Sequence, residues 1–177
     1  DLQVGDPEGR VLGTSQVGEL GIKGPNVVKG YWNKPEATAE SFVDGWLRSG
    51  DLARIDEEGF VFIVDRAKDM LIRGGENVYC VEVESVLYDH PAVMDAAVVG
   101  IPHRVLGEEV GAIVQLAPGK TATEQELREH VAAHLAAFKV PVQIEIRSEP
   151  LPRNANGKVL KRQLKDEFVA HLGHAGA

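Results

Sequence analysis

Between Arg153 and Lys165 the chain carries Arg153, Lys158, Lys161, Arg162 and Lys165, with no acidic residue among them. The chain as a whole has a formal charge of −8. A positive cluster against that background attracts an anion. Lys158 follows Asn154-Ala155-Asn156-Gly157, a stretch that favours turns and positive φ, so the lysine belongs on a loop. There its ammonium can be brought to an anion and withdrawn. Two unit charges about 4 Å apart interact by about 1 kcal/mol in water and about 4 kcal/mol at an effective dielectric near ~20. The ammonium is useful in a dry cleft and of little use in solvent. A solubilising surface lysine is the plainer alternative, and from Lys158 alone it is the better one. A basic group at a helix start runs against the dipole, which tilts the reading toward an anion ligand.

Three other places could do chemistry. Asp51 follows Ser49-Gly50, and a carboxylate leaving a tight turn before a strand can accept both hydroxyls of a ribose. Arg66 follows the second strand of an expected hairpin and could reach the same sugar or its phosphate through a forked donor. Taken singly, a turn aspartate and a surface ion pair are the better readings. Gly74-Gly75 permits unusual backbone angles and a close approach by another group; a simple turn is the alternative. His130 and His134 share a helix face, but with no third ligand nearby a solvated face outweighs a metal site. No metal ligand is assigned in this chain.

These groups need elements to hold them. The 177 residues are 44% apolar and 26% charged, an ordinary globular composition. No apolar run is long enough to cross a membrane, and no charged-then-apolar leader opens the chain. The acidic balance argues against nucleic-acid binding. A lone cysteine, Cys80, excludes an internal disulfide and suits a reducing cytoplasm. The chain opens on Asp1 without a methionine, and a fragment of a longer protein is expected.

Residues 1–66 read as short strands and turns: a strand over Val17–Lys23, a short helix from Pro35, and a hairpin of Leu52–Ile55 with Phe60–Val64 across Asp56-Glu57-Glu58-Gly59. This part looks too small to close its own core. Residues 67–177 read as a compact α+β domain of order βαββαβα. Its strands are Met70–Ile72, Val93–Val99, Gly111–Leu116 and Gln143–Ile146. A helix over Val81–Tyr88 turns Val83, Val86 and Leu87 inward. A second, opened by a Thr123–Glu126 capping box, buries Leu127, Val131, Leu135 and Phe138. The last carries an apolar stripe of Leu160, Leu164 and Phe168.

Singly the motifs are weak; their order is not. GELGIKGPNVVKGYWNKPEAT (Gly18–Thr38), WLRSGDL (Trp46–Leu52), DRAKDMLIRGGENVYCVEVE (Asp65–Glu84), GIPHRVLGE (Gly100–Glu108) and PRNANGKVLKR (Pro152–Arg162) follow one another as in the adenylate-forming superfamily of acyl-CoA and aryl-CoA synthetases, luciferases and peptide-synthetase adenylation domains. The chain resembles the C-terminal portion of an acyl-CoA synthetase. That resemblance implies a fold of α+β class: a small mixed sheet with packed helices (67–177, a mobile domain), preceded by a β-rich remnant of the large N-terminal domain (1–66).

It also implies roles. Asp51 would bind the ribose hydroxyls of ATP and Arg66 would assist at the nucleotide. Lys68 would be the hinge, and Gly74 and Gly75 would face the pantetheine arm of CoA. Lys158 would be the catalytic lysine, bridging α-phosphate and carboxylate while the adenylate forms. Asp65 and Lys68 replace a more usual glycine and aspartate, as in fatty acyl-CoA and luciferase-like branches. ATP, Mg2+ and CoA would be required by the full-length enzyme and none firmly bound by this chain. Its partners would be a fatty acid, the missing N-terminal domain and a lysine acetyltransferase acting on Lys158. The leading expectation is a cytoplasmic fatty acyl-CoA ligase. A coumarate-type aryl-CoA ligase, a peptide-synthetase module loading a carrier protein, and a non-catalytic α+β binding module are the alternatives.

Overall fold

The computed structural model describes residues 1–175, the last three of these as backbone only. The chain divides into two compact units, Asp1–Lys68 and the part from Asp69 onward.

The first unit comprises β1 (Leu2–Gly5), β2 (Gly18–Ile22), α1 (Pro35–Ser41), β3 (Phe42–Val43), β4 (Trp46–Ile55) and β5 (Val61–Arg66). All strand pairs in it are antiparallel. β2 runs along one edge of β4, while β3 and β5 share the other edge at opposite ends of it. The expected hairpin is present, and its turn is held by Asp56. The Asp56 carboxylate accepts from the N–H groups of Glu58 and Phe60 at 3.1 and 2.8 Å, an Asx-type turn. The core is small: Val4, Leu20 and Ala53, with Leu12, Ile22, Ile55 and Val61 against them.

The second unit comprises β6 (Leu71–Arg73), β7 (Glu76–Val78), α2 (Cys80–Tyr88), β8 (Val93–His103), β9 (Gly107–Leu116), α3 (Glu124–Ala132), a 3₁₀ turn at Ala137–Lys139, β10 (Gln143–Arg147) and α4 (Lys161–Ala175). β9 lies at its centre. β8 pairs antiparallel along one edge of β9; β10 pairs parallel along the other, and β6 meets that edge at Gly107. The sheet is mixed and covered on both faces, which is why the central stretches Ala96–Val99 of β8 and Val110–Val114 of β9 carry no polar side chain. Ala96, Val98, Val110, Ala112 and Val114 pack with Val83, Leu87, Leu127 and Val131 of α2 and α3. Ala97, Val99 and Ile113 pack with Leu164 and Phe168 of α4. A Cβ at Gly111 would sit 2.6 Å from the Phe168 ring, so a glycine is needed for α4 to lie this close.

Several expectations needed extension or correction. β8 and β9 form one long hairpin that closes through Arg104-Val105-Leu106, with Gly107 at φ +78°. Pro102 is tolerated in it because, among the described residues, β8 is paired only with β9. α3 has both halves of its capping box but ends at Ala132. Leu135 and Phe138 lie beyond it and are only partly buried. Leu160 precedes α4 and is exposed, so the apolar stripe begins at Leu164. β7 was not expected; it is the return strand of the Gly74-Gly75 turn. No helix among the described residues is long and apolar enough to cross a membrane.

Candidate functional site

Lys158 occupies a tight, ordered loop closed by a bridge between Arg153 and Val159. Asn154 organises it. Its side-chain oxygen accepts from the N–H groups of Asn156 and Lys158 at 3.0 and 2.9 Å, and its backbone exchanges bonds with Gly157 and Lys158. Gly157 adopts φ +79°, a left-handed conformation that costs a glycine little. The Lys158 side chain projects into solvent, as the turn chemistry requires.

The basic cluster around it is not an open anion-binding patch, and that expectation is corrected. Arg153 pairs with Asp95 at 2.5 Å, Lys161 with Glu84 at 2.7 Å and Lys165 with Glu108 at 2.9 Å. Burial alone would lower the Lys161 ammonium, but Glu84, with Cys80 and Asp69 adding to it, holds the group above the ordinary lysine value. The unfavourable basic start of α4 is offset by these acids from α2 and β9. Lys158 and Arg162 are left with no ion pair among the described residues.

Gly74 and Gly75 form the two-residue turn of the β6–β7 hairpin, where Arg73 pairs with Glu76. Both have positive φ, +59° and +92°, the requirement of the turn type that matches strand twist. The Gly74 N–H donates to the Leu106 carbonyl at 2.9 Å, which seats the turn on the β8–β9 loop. Arg73 reinforces it with a forked ion pair to Glu109 at 2.8 and 3.2 Å. A Cβ at Gly75 would meet nothing within 4 Å, so this position is open to an approaching group.

The turn and the Lys158 loop lie at opposite ends of one strand. Arg73, next to Gly74, pairs with Gly107 of β9. Asp95, which holds the Lys158 loop through Arg153, pairs with Gln115 of the same strand. Eight residues at about 3.4 Å per residue separate those ends by roughly 27 Å.

In the first unit Asp51 is inside β4, not before a strand as expected. Between Arg48 and Leu52, which face Gly21 and Glu19, β4 bulges outward. Gly50 turns with φ +74°, and Glu19 clamps the bulge by accepting from the Gly50 N–H and from Arg48. Asp51 therefore leaves an irregular point of a well-paired strand. Arg66, the last residue of β5, faces it with Nε 3.1 Å from Oδ1. Lys68 is exposed on the turn that ends the first unit.

His130 does not simply face solvent. It is half-buried, its Nε2 is 2.9 Å from the Val86 carbonyl, and its ring packs edge-on against His90. Among the described residues no three His, Cys, Asp or Glu side chains are placed to hold a metal. Reading the residues alone missed Asp95 and Tyr88. Their signal was faint: one acid in an otherwise apolar strand (Val93–Val99) and a tyrosine closing a helix.

Residues 82–158 match the model of the AMP-binding enzyme C-terminal domain. The chain is 47% identical over 159 residues to a long-chain-fatty-acid–CoA ligase of Bacillus subtilis, covering 90% of this chain and 28% of that protein. It is 43% identical over 168 residues to a feruloyl-CoA synthase of an Amycolatopsis species, covering 95% and 34%. Among solved structures it superimposes on ATP-bound MatB from Rhodopseudomonas palustris with a TM-score of 0.89 at 42% identity, covering 96% of this chain and 34% of MatB. The chain thus spans about a third of the length of the relatives it matches. It belongs to the adenylate-forming, AMP-binding enzymes and corresponds to their C-terminal part.

Proposed function

We propose that the chain is the C-terminal part of an ATP-dependent acid–thiol ligase that works in two half-reactions. In the first, the substrate carboxylate attacks the α-phosphorus of ATP, giving an acyl-adenylate and releasing pyrophosphate. In the second, the CoA thiol attacks the acyl carbonyl, giving a thioester and releasing AMP. The observation that carries this reading is the placement of the Lys158 loop and the Gly74-Gly75 turn at opposite ends of β9. A unit built so can offer an ammonium at one end and an unobstructed glycine turn at the other, one for each half-reaction.

Lys158 serves the first step. Two anions must meet there, and an unpaired ammonium between them offsets their repulsion in a site that excludes water. Asp51 accepts the two ribose hydroxyls and Arg66 steadies that carboxylate or reaches the nucleotide itself. Gly74 and Gly75 serve the second step, because the backbone turn leaves room for the pantetheine arm. Lys68, at the limit of the first unit, is the hinge between the two presentations. The upstream portion that the relatives possess would supply the acid pocket and the remaining phosphate contacts, Mg2+ among them. Acetylation of Lys158 would remove its charge and silence the first step. A reducing cytoplasm suits the buried Cys80 thiol, which donates to the Asp69 carbonyl.

The acid is read as a fatty acid, supported by the likeness to the Bacillus subtilis ligase and by the DRAKDM form of the hinge segment. An aromatic acid is the second reading, favoured by the likeness to the feruloyl-CoA synthase. Pyrophosphate release by the complete ligase, measured across fatty acids and hydroxycinnamic acids, separates them. Turnover of fatty acids with little on hydroxycinnamates is expected; the reverse order would overturn the fatty-acid reading, and release with neither acid class would overturn both.

A further inference from the structure

The peptide between Gly157 and Lys158 is held from both sides. Its carbonyl accepts from Arg153 Nη1 at 2.7 Å, and its N–H donates to Asn154 Oδ1 at 2.9 Å. A peptide is planar, so fixing both its polar atoms fixes the direction in which the Lys158 side chain leaves the backbone. Asn154 belongs to the loop itself. Arg153 does not act alone, because its other nitrogen, Nη2, is anchored 2.5 Å from Asp95 Oδ2 on β8.

Asp95 is built for that purpose. It is one of two buried acids among the described residues, 7% exposed, and both its oxygens are engaged. Oδ1 accepts from the Tyr88 hydroxyl and from the Ala96 N–H, leaving Oδ2 for Arg153. The β8–β9 register shifts by one residue at Met94, and a bulge of this kind re-aims the side chain beside it. The guanidinium is a rigid fork that reaches two acceptors from two nitrogens at once, which the single nitrogen of a lysine cannot reproduce. We propose that Asp95 is the positioning residue of the Lys158 loop, acting through Arg153, with Tyr88 holding the carboxylate from behind. This deepens the reading of Lys158 as the first-step lysine and rests on it.

The test uses the complete ligase with R153K, D95N and the double variant, alongside K158A. R153K keeps the charge at a solvent-accessible position but loses the fork. D95N keeps the shape but loses the anion. Pyrophosphate release at saturating ATP is expected to fall about 10- to 100-fold in R153K and in D95N, the scale of a small misplacement of a catalytic group. The KM for ATP and the rate of thioester formation from supplied acyl-adenylate are expected to stay at wild-type values. The double variant is expected to fall no further than the worse single one, because both changes break one unit. Wild-type pyrophosphate release in R153K, with K158A inactive in that step, overturns the positioning role and leaves the reading of Lys158 standing. Equal loss of both half-reactions in R153K marks a merely structural pair and also overturns it. An intact first half-reaction in K158A overturns the reading of Lys158 and the positioning role with it. If D95N does not fold, R153K alone decides between these results.

Discussion

Arg66 Nε lies 3.1 Å from Asp51 Oδ1, across the pair that ends the β4–β5 ladder. The pair is partly exposed, with side-chain exposures of 46% and 30%, so it adds at most about 1 kcal/mol to stability. On the nucleotide role proposed for Asp51, the pair serves to orient the carboxylate. Asp51→Ala is expected to raise the KM for ATP about 10- to 100-fold, the loss of hydrogen bonds to a charged acceptor. The melting temperature should barely move. An unchanged KM for ATP would remove Asp51 from the nucleotide site.

The two glycines of the β6–β7 turn should differ in how they fail. Both need positive φ, which costs a residue with a Cβ about 1–2 kcal/mol. Gly75→Ala should cost about that and no more, since its Cβ meets nothing. Gly74→Ala should cost more, because its Cβ would press to 3.0 Å from Leu106 Cδ2. Urea unfolding of both variants checks the order, and a less stable Gly75→Ala would contradict it. In the half-reactions, Gly75→Leu should form acyl-adenylate normally and fail to make the thioester. A normal second step would take the turn out of the CoA path.

What could be read from the sequence was local. The Gly-Gly turn, the Thr123–Glu126 capping box and the inward Val83, Leu87, Leu164 and Phe168 follow from short-range chemistry, and all are present. The ends of elements were less legible. Nothing in Leu135 or Phe138 announces that α3 stops at Ala132, and β7 is only three residues long. The basic cluster misled for a different reason: its neutralising acids, Glu84, Asp95 and Glu108, lie more than fifty residues away along the chain. Pairing of that kind belongs to the tertiary fold.

His90 should make the second unit sensitive to acid. Burial holds its imidazole below the ordinary 6.5, the neighbouring His130 lowers it further, and Glu126 opposes them in part. A depressed folded value means the contribution is present above the ordinary value and is lost as pH falls through the folded one. The urea midpoint should therefore decline on acidification from about pH 7 to about pH 5, and less so in His90→Gln. An identical decline in the variant would contradict this assignment.

Tyr88 reports on Asp95 at the other end of the pH scale. Burial pushes its phenol above 10.0, and the hydrogen bond to Asp95 adds to the shift. Here the folded value is raised, so the contribution is intact below the ordinary value and lost as pH rises through the folded one. Ultraviolet titration should show Tyr88 ionising above the ordinary range. In Asp95→Asn that tyrosine should move down, though not fully, because burial remains. No movement would mean that Asp95 does not act on Tyr88.

The proposed function stands or falls with Lys158 serving one half-reaction and not the other. The most direct measurement is Lys158→Ala in the complete ligase, with the two half-reactions assayed separately. Pyrophosphate release from ATP and the acid should fall by about 10²–10³ or more, the scale of losing one electrostatic donor to the transition state. Thioester formation from supplied acyl-adenylate and CoA should continue at the wild-type rate. Equal loss of both, or an undiminished first step, would contradict the account.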